Sequence, residues 1–303
     1  MLQEDAQPAR SAGSPARCPE LAAIVLALGA PASVTAAVRS LLRQDPPVEI
    51  VVVNSGGGDV GALLRKAGID VPVIERADRL FVGAARNLGI AATTAPYVGF
   101  LAADCTAARG WSRHRLKAHR KGHTTVASAV VPSHRRSTIA WTSHIAFFRR
   151  RLPGVDPRQA ALYGASYERT LFATYGLFRE DLRVGEDTEF HARLPVDKKP
   201  VWNGRVRAVH ASPTRLAELL LDQYGRGARM SDSAQAVRGL HIPFGLRWCR
   251  IQVKSAVRQS RSWANPRDIR YVRRAWWLLP LAVGAYAAGG AVAHWKRNRR
   301  TKS

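Results

Sequence analysis

The stretch that most constrains this chain is FVGAARNLGIAATTAPYVGFLAADC, from Phe81 to Cys105. Gly83 predicts a tight bend, because glycine takes any backbone angle cheaply. Ala84 to Ala92 reads as a short helix of small residues, with Arg86 and Asn87 near its start. Pro96 closes a turn, and Tyr97 to Leu101 is an apolar run suited to a buried strand that stops just before Asp104. A strand ending near a carboxylate, beside a helix start that carries an arginine, is a natural place for a metal-bound phosphate.

The same grammar precedes and follows this stretch. Leu21 to Leu28 and Glu49 to Val53 are apolar runs of strand length, and Val71 to Glu75 is a third. Between them, Val34 to Arg43 carries apolar residues at helical spacing behind Ser33 as N-cap, and Val60 to Lys66 is a short helix. Further on, helices are expected over 111–120, 138–150, 168–175 and 213–224, with another opening at Glu186, and strands over 124–131 and 201–209. Alternating strands and helices predict a parallel sheet with ligands at the carboxyl ends of its strands. The Asn54–Asp59 segment (NSGGGD) and Asp104 both lie at such ends.

Charge and cysteine narrow the classes. Lysine and arginine number 47 against 22 acidic residues, a net charge of +25 in 303 residues. That balance calls for an anionic partner: phosphate-bearing substrate, anionic membrane or nucleic acid. No recognised nucleic-acid motif is present, so nucleic acid is not the expected partner. From Gly239 to Ser303, 14 basic residues accompany one acidic residue, Asp268, so about half the excess sits in the last fifth of the chain. Cys18, Cys105 and Cys249 stand far apart with no CxxC pair, which argues against a disulfide framework or a zinc site.

These features divide the chain into five regions. Residues 1–19 are polar and expected to be a disordered tail. Residues 20–238 form the α/β domain, and 239–275 are a basic amphipathic region suited to a membrane interface. Residues 276–295 carry no formal charge apart from neutral His294 and have tryptophans at both ends. Twenty residues at helical rise span ~30 Å, enough for a transmembrane or re-entrant helix. Residues 296–303 are a basic tail.

With its parts in order, the chain resembles family 2 glycosyltransferases of the GT-A fold, over roughly Leu21 to Ala228. The segments that carry the resemblance are EIVVVNSGGGD, GAARNLGIA, YVGFLAADC, ASYERTLFATYGLFREDLRVGEDTEFHARL and VHAS. The resemblance implies a mostly parallel, Rossmann-like sheet flanked by helices, here followed by the basic and apolar helical segment. It implies transfer of a sugar, with inversion, from a nucleotide-diphosphate donor to a hydroxyl. With the apolar C-terminus, a lipid-linked or cell-envelope glycan acceptor at an anionic cytoplasmic membrane is expected, with the catalytic domain on the cytoplasmic face. Asp187, the second residue of the Glu186–Asp187 pair, matches the family's base. Arg86 matches the arginine near the nucleotide, and Asn54, Ser55 and Asp59 stand at the base-reading and closing positions. Asp104 is the last residue of a metal triplet whose first position is Ala102. With His210 as a second ligand it would hold Mn2+ or Mg2+. Gln223-Tyr224-Gly225-Arg226 resembles the Gln-x-x-Arg of processive sugar synthases, which would put Arg226 near the diphosphate or acceptor.

Plainer roles stand beside these. Glu186 and Asp187 also complement a helix dipole, His119 and His123 have no third ligand, and Trp141, Tyr163 and Tyr167 read first as packing. A second functional reading is a catalytically impaired relative that binds nucleotide sugars or acts as a scaffold, motivated by Ala102 and Asn54.

Overall fold

The computed structural model describes residues 18–236, 245–261 and 265–300. In chain order the first half gives β1 (Leu21–Leu28), α1 (Val34–Leu42), β2 (Glu49–Ser55), α2 (Val60–Lys66), β3 (Val73–Glu75), α3 (Val82–Ala91), β4 (Tyr97–Ala102), β5 (Cys105–Ala107), α4 (Trp111–His119), β6 (Thr125–Pro132) and α5 (Thr138–Phe148). The second half gives β7 (Ser166–Glu168), α6 (Thr170–Tyr175), α7 (Glu186–Arg193), β8 (Val201–His210), α8 (Leu216–Ala236), α9 (Leu246–Ser260) and α10 (Ile269–Arg300).

The eight strands form one sheet in the order β3-β2-β1-β4-β7-β6-β8-β5. The strands β1 to β4 are mutually parallel, as the continuous apolar runs require of strands covered on both faces. β7 then enters antiparallel between β4 and β6, while β8 runs parallel to β6. The short β5 turns back from β4 and pairs antiparallel with β8. One layer of core lies under α1, α2 and α4, around Leu21, Val25, Val38, Leu41 and Trp111. On the other face, α3, α6 and α7 close over an aromatic cluster of Phe100, Tyr167, Phe172, Phe178 and Phe190.

Three expectations change. Gly83 lies inside the first turn of α3 instead of opening a bend. Its hydrogen faces the Arg179 carbonyl, where a Cβ would come within 2.1 Å of that oxygen. The helix expected over 213–224 runs on through Gly225 and Gly227 to Ala236. The expected strand over 71–75 is shorter, and the three-residue strands β5 and β7 lack the length that would make them legible. The disordered-tail expectation falls mostly on residues 1–17, outside the described residues.

The C-terminal helices join the domain through a third cluster. There Trp141, Ile145 and Leu152 pack against Ala256 of α9 and Val272, Ala275 and Leu279 of α10. α10 is longer than the 276–295 segment and crosses α8 backbone to backbone. A Cβ on Gly227 would stand 1.9 Å from the Tyr286 carbonyl oxygen, and one on Gly289 would stand 2.0 Å from that of Tyr224. Glycine at both positions sets this approach.

The crossing makes a prediction. Gly289→Ala should lower stability by about 1–3 kcal/mol through overpacking. Gly284→Ala, on the same helix with nothing within 4 Å of its Cβ position, should be neutral or slightly stabilising. Thermal melts of the two variants check this. Equal melting temperatures would contradict the close crossing.

Candidate active site

The site grows from the carboxyl end of the sheet. Asp104 lies in the turn between β4 and β5. Because β5 pairs with β8 in the register Cys105↔His210, the aspartate is delivered next to the histidine. The Asp104 carbonyl accepts from Ala211 N at 2.9 Å, and its carboxylate Oδ2 lies 3.5 Å from His210 Nε2. The Cys105 thiol donates to Asp104 Oδ1 at 3.3 Å. Desolvation pushes the Asp104 carboxyl up. The His210 hydrogen bond and charge, the Cys105 thiol and Arg226 outweigh it, so the group titrates below its ordinary value. Asp104 is about half exposed and open to a ligand, while His210 is buried, its ring 4.9 Å from that of Phe148. Among the described residues no group of three or more His, Cys, Asp or Glu side chains is placed to hold a metal ion. A divalent ion fits this pair only as one that takes its other ligands from substrate phosphate and water.

Glu186 and Asp187 open α7, behind Gly185 in a left-handed conformation. Glu186 is buried and accepts the guanidinium of Arg86 at 3.1 Å. That guanidinium is also stacked on Phe100 and Phe178, at 4.8 and 5.0 Å from the ring centres. Desolvation works against the Arg86 charge, but Glu186, Asp187 and Tyr167 outweigh it and raise its pKa. The neighbouring Asn87 clamps the same segment. Its amide donates to Phe178 O and Glu180 Oε1, both at 2.9 Å, and its carbonyl accepts from Phe178 N at 3.1 Å. The Arg-Asn of α3 thus holds the chain that leads into α7, and Arg86 is turned toward Glu186 and two aromatic rings. Asp187 is partly buried; its Oδ1 accepts from Thr188 N at 2.8 Å.

The expected base-reading positions are occupied within the protein. Asn54 is fully buried. Its amide donates to Gly57 O at 2.9 Å and Glu75 Oε2 at 2.7 Å, and its carbonyl accepts from Ala30 N at 3.1 Å. Ser55 is buried at the end of β2, its carbonyl accepting from Gly29 N at 2.8 Å. Asp59 caps α2 by accepting from Ala62 N at 2.6 Å. These three order the loop after β2.

Arg226, on α8, is paired with Asp222 at 2.8 Å and stacked on Phe147 at 4.3 Å. It also lies 5.6 Å over Phe148, the ring that touches His210. Arg151 was not singled out in the sequence. Its charge is felt at both Cys105, beside Asp104, and Asp187, at the start of α7. Nothing in the run Arg149-Arg150-Arg151 marks the third arginine from sequence alone. Elsewhere, His119 is a packed histidine, bonded to His123 O and Ser166 Oγ and stacked on Tyr97. Trp141 and Tyr167 are fully buried, and Tyr163 is partly exposed.

A mostly parallel sheet flanked by helices, with Asp104 in the turn after β4 and an acidic pair opening α7, is the architecture of the GT-A glycosyltransferases. Residues 23–180, just over half the chain, match the family model for glycosyl transferase family 2, and the chain belongs to that family of glycosyltransferases. Among solved structures it is similar to a mannosyltransferase from Pyrobaculum calidifontis in complex with GDP-Man and Mn2+. That likeness has a TM-score of 0.57 at 17% identity, over 96% of this chain and 91% of that one. A second neighbour is TarS of S. aureus, with a TM-score of 0.47 at 13% identity, over 90% of this chain and 55% of that one. No curated protein matches the chain by sequence.

The Arg86–Glu186 pair yields the second prediction. Arg86→Met or Glu186→Leu alone leaves one polar partner buried without its mate and should cost about 3–5 kcal/mol. The double variant Arg86→Met/Glu186→Leu should cost less than the sum of the two singles. Urea unfolding measures all of these, and additive losses would contradict the pairing.

Proposed function

We propose that this glycosyltransferase moves a sugar, with inversion, from a nucleotide-diphosphate donor to a hydroxyl of a lipid-linked or cell-envelope acceptor. The observation that supports it is the Asp104–His210 pair, with Arg226 and Arg151 gathered at the Phe148 ring beside His210 and the charge of Arg151 felt at Asp187. In the proposed reaction Asp187 takes the proton of the acceptor hydroxyl as its oxygen attacks the anomeric carbon. The bond from that carbon to the diphosphate breaks on the opposite face, and the diphosphate leaves with the electron pair. Glu186, held by Arg86, positions the start of α7 and so the base. Asp104 and His210 would hold Mn2+ or Mg2+, which supplies neutralisation of the diphosphate when bound. Arg226, steadied by Asp222 and two phenylalanine rings, adds positive charge to the same side.

Asp187→Asn keeps shape and removes the base, so turnover should fall about 10²–10⁴-fold. Release of nucleoside diphosphate from a donor panel, in the presence of candidate acceptors, checks this. Turnover like wild type in a folded variant would sink the assignment. Binding of donor without transfer by the wild type would favour the impaired relative.

The membrane part rests on α10. Its Ile269–Arg297 portion is the one helix among the described residues that is long and apolar enough to cross a membrane. Yet one face is packed on α5, α8 and α9. Crossing a bilayer in this fold would drag α8, with its Asp222–Arg226 pair, into hydrocarbon, at a cost of several kcal/mol for each ion. We therefore read α10 as lying along the membrane. Its free face carries Trp277 at 86% exposure, with Leu281, Val292 and Trp295, and has Arg273, Arg274, Lys296 and Arg299 at its ends. The outer face of α9 repeats basic residues at helical spacing: Arg247, Arg250, Lys254, Arg258 and Arg261. Apolar and basic faces together suit an anionic membrane. Nucleotide sugars are cytosolic, which puts the domain on the cytoplasmic face. Cysteines placed at Arg274 and at Lys296 should both react with an impermeant maleimide added to that face of sealed vesicles. Protection of one of them would mean that the helix crosses.

A further inference from the structure

Two arginines near Asp104 and Asp187 have a carboxylate: Arg86 has Glu186 and Arg226 has Asp222. Arg151 has none within ion-pair distance among the described residues, although it is partly buried. It is nevertheless fixed. Its Nε donates to Ser128 O and its Nη2 to Ser128 Oγ, each at 3.2 Å, and the Ser128 hydroxyl donates onward to Gly164 O at 2.9 Å. Gly164 makes the room. It sits at φ +62°, and a Cβ there would lie 2.3 Å from Arg151 Nη2. The chain thus keeps a glycine at a left-handed position where the guanidinium needs the space.

The place of this cation is defined by Phe148. The ring has Arg151 at 6.0 Å, Arg226 at 5.6 Å and the His210 ring at 4.9 Å, and His210 touches Asp104. Two guanidiniums and the Asp104–His210 pair are therefore gathered around one aromatic side chain. Arg115, the other deeply buried arginine nearby, is of a different kind. It is spent on Val126 O and Gly164 O and stacked on Trp111, inside the core. Its charge also repels that of Arg151. Two like charges with no carboxylate in direct contact are costly unless an anion joins them.

We propose that Arg151 is a phosphate-binding residue of the cleft, a cation preset by Ser128 and Gly164 to receive a phosphate or diphosphate group of a substrate. Two of the five N–H donors of a guanidinium are committed to Ser128, and the remainder are free to fork onto phosphate oxygens. Burial pulls the Arg151 pKa down to about 10, so the group still carries its charge at neutral pH. The inference rests on the glycosyltransferase reading for the identity of the phosphate. That phosphate is either the donor's diphosphate or a phosphate on the acceptor.

Titration calorimetry at low salt tests it on the full chain, with inorganic pyrophosphate in one arm and geranyl phosphate in the other. Arg151→Met should weaken binding about 10–100-fold in at least one arm. Loss in the pyrophosphate arm assigns the residue to the donor side, and loss in the geranyl phosphate arm assigns it to the acceptor. Arg151→Lys, which keeps the charge but not the fork, should fall between wild type and Met. Should the Met variant not fold, Ser128→Ala carries the test, with affinity expected to drop severalfold. Unchanged affinity in both arms, or a wild type that binds neither probe, overturns the proposal. A wild type that binds pyrophosphate but releases no nucleoside diphosphate from any donor would overturn the transferase reading and leave Arg151 standing.

Discussion

The ion pair between Arg86 and Glu186 is the joint on which the rest of the site turns. It ties α3, which joins β3 to β4 in the parallel half of the sheet, to the start of α7, 100 positions beyond Arg86. Asn87 bonded to Phe178 and Gly83 against the Arg179 carbonyl close the same seam. Through these contacts the GAARN and GLFREDLRVGED segments become one construction. Asp187 stands next to Glu186 at the start of α7. A buried pair of this kind contributes little net stability compared with an apolar replacement. What it contributes here is the placement of one carboxylate.

The other wall of the cleft is set by strand register. The two-residue turn after β4 and the antiparallel pairing of β5 with β8 bring Asp104 to His210. Around them the balance of charge leans positive. Asn54, Ser55 and Ala102 stand where carboxylates would add negative charge, and Asn54 is engaged with Glu75 and the glycine loop. Arg151 and Arg226 stand on the opposite side of the account. Positive charge gathered in this way attracts phosphates at long range. The crossing of α8 over α10 lies at Gly227 and Gly289, next in the chain to Arg226, which stacks on Phe147.

Much of this was legible because the strongest signals are local. β1, β2 and β4 are unbroken apolar runs, buried on both faces, and they sit where periodicity puts them. The positions of Asp104 after a strand and of Glu186 and Asp187 at a helix start were legible, and the roles expected of them came from the resemblance. The long α8 was not, because Gly225 and Gly227 read as a stop. Only the backbone of α10 lying against Gly227 explains why the helix continues. Arg86 was legible as important but not in its direction, since its partner lies 100 positions away. Arg151 was invisible for the same reason: its neighbours Ser128, Gly164 and Phe148 come from three separate segments. Expectations built on spacing find elements, whereas side chains that converge from distant segments need the fold.

The central claim is that the cleft between Asp104 and Asp187 receives a sugar nucleotide by its diphosphate. A crystal structure with a non-transferable nucleotide-sugar analogue and Mn2+ tests this most directly. The account predicts diphosphate density beside Asp104 and His210 with Arg151 or Arg226 on its oxygens, and the sugar facing Asp187. Diphosphate bound elsewhere, or a sugar turned away from Asp187, would contradict it.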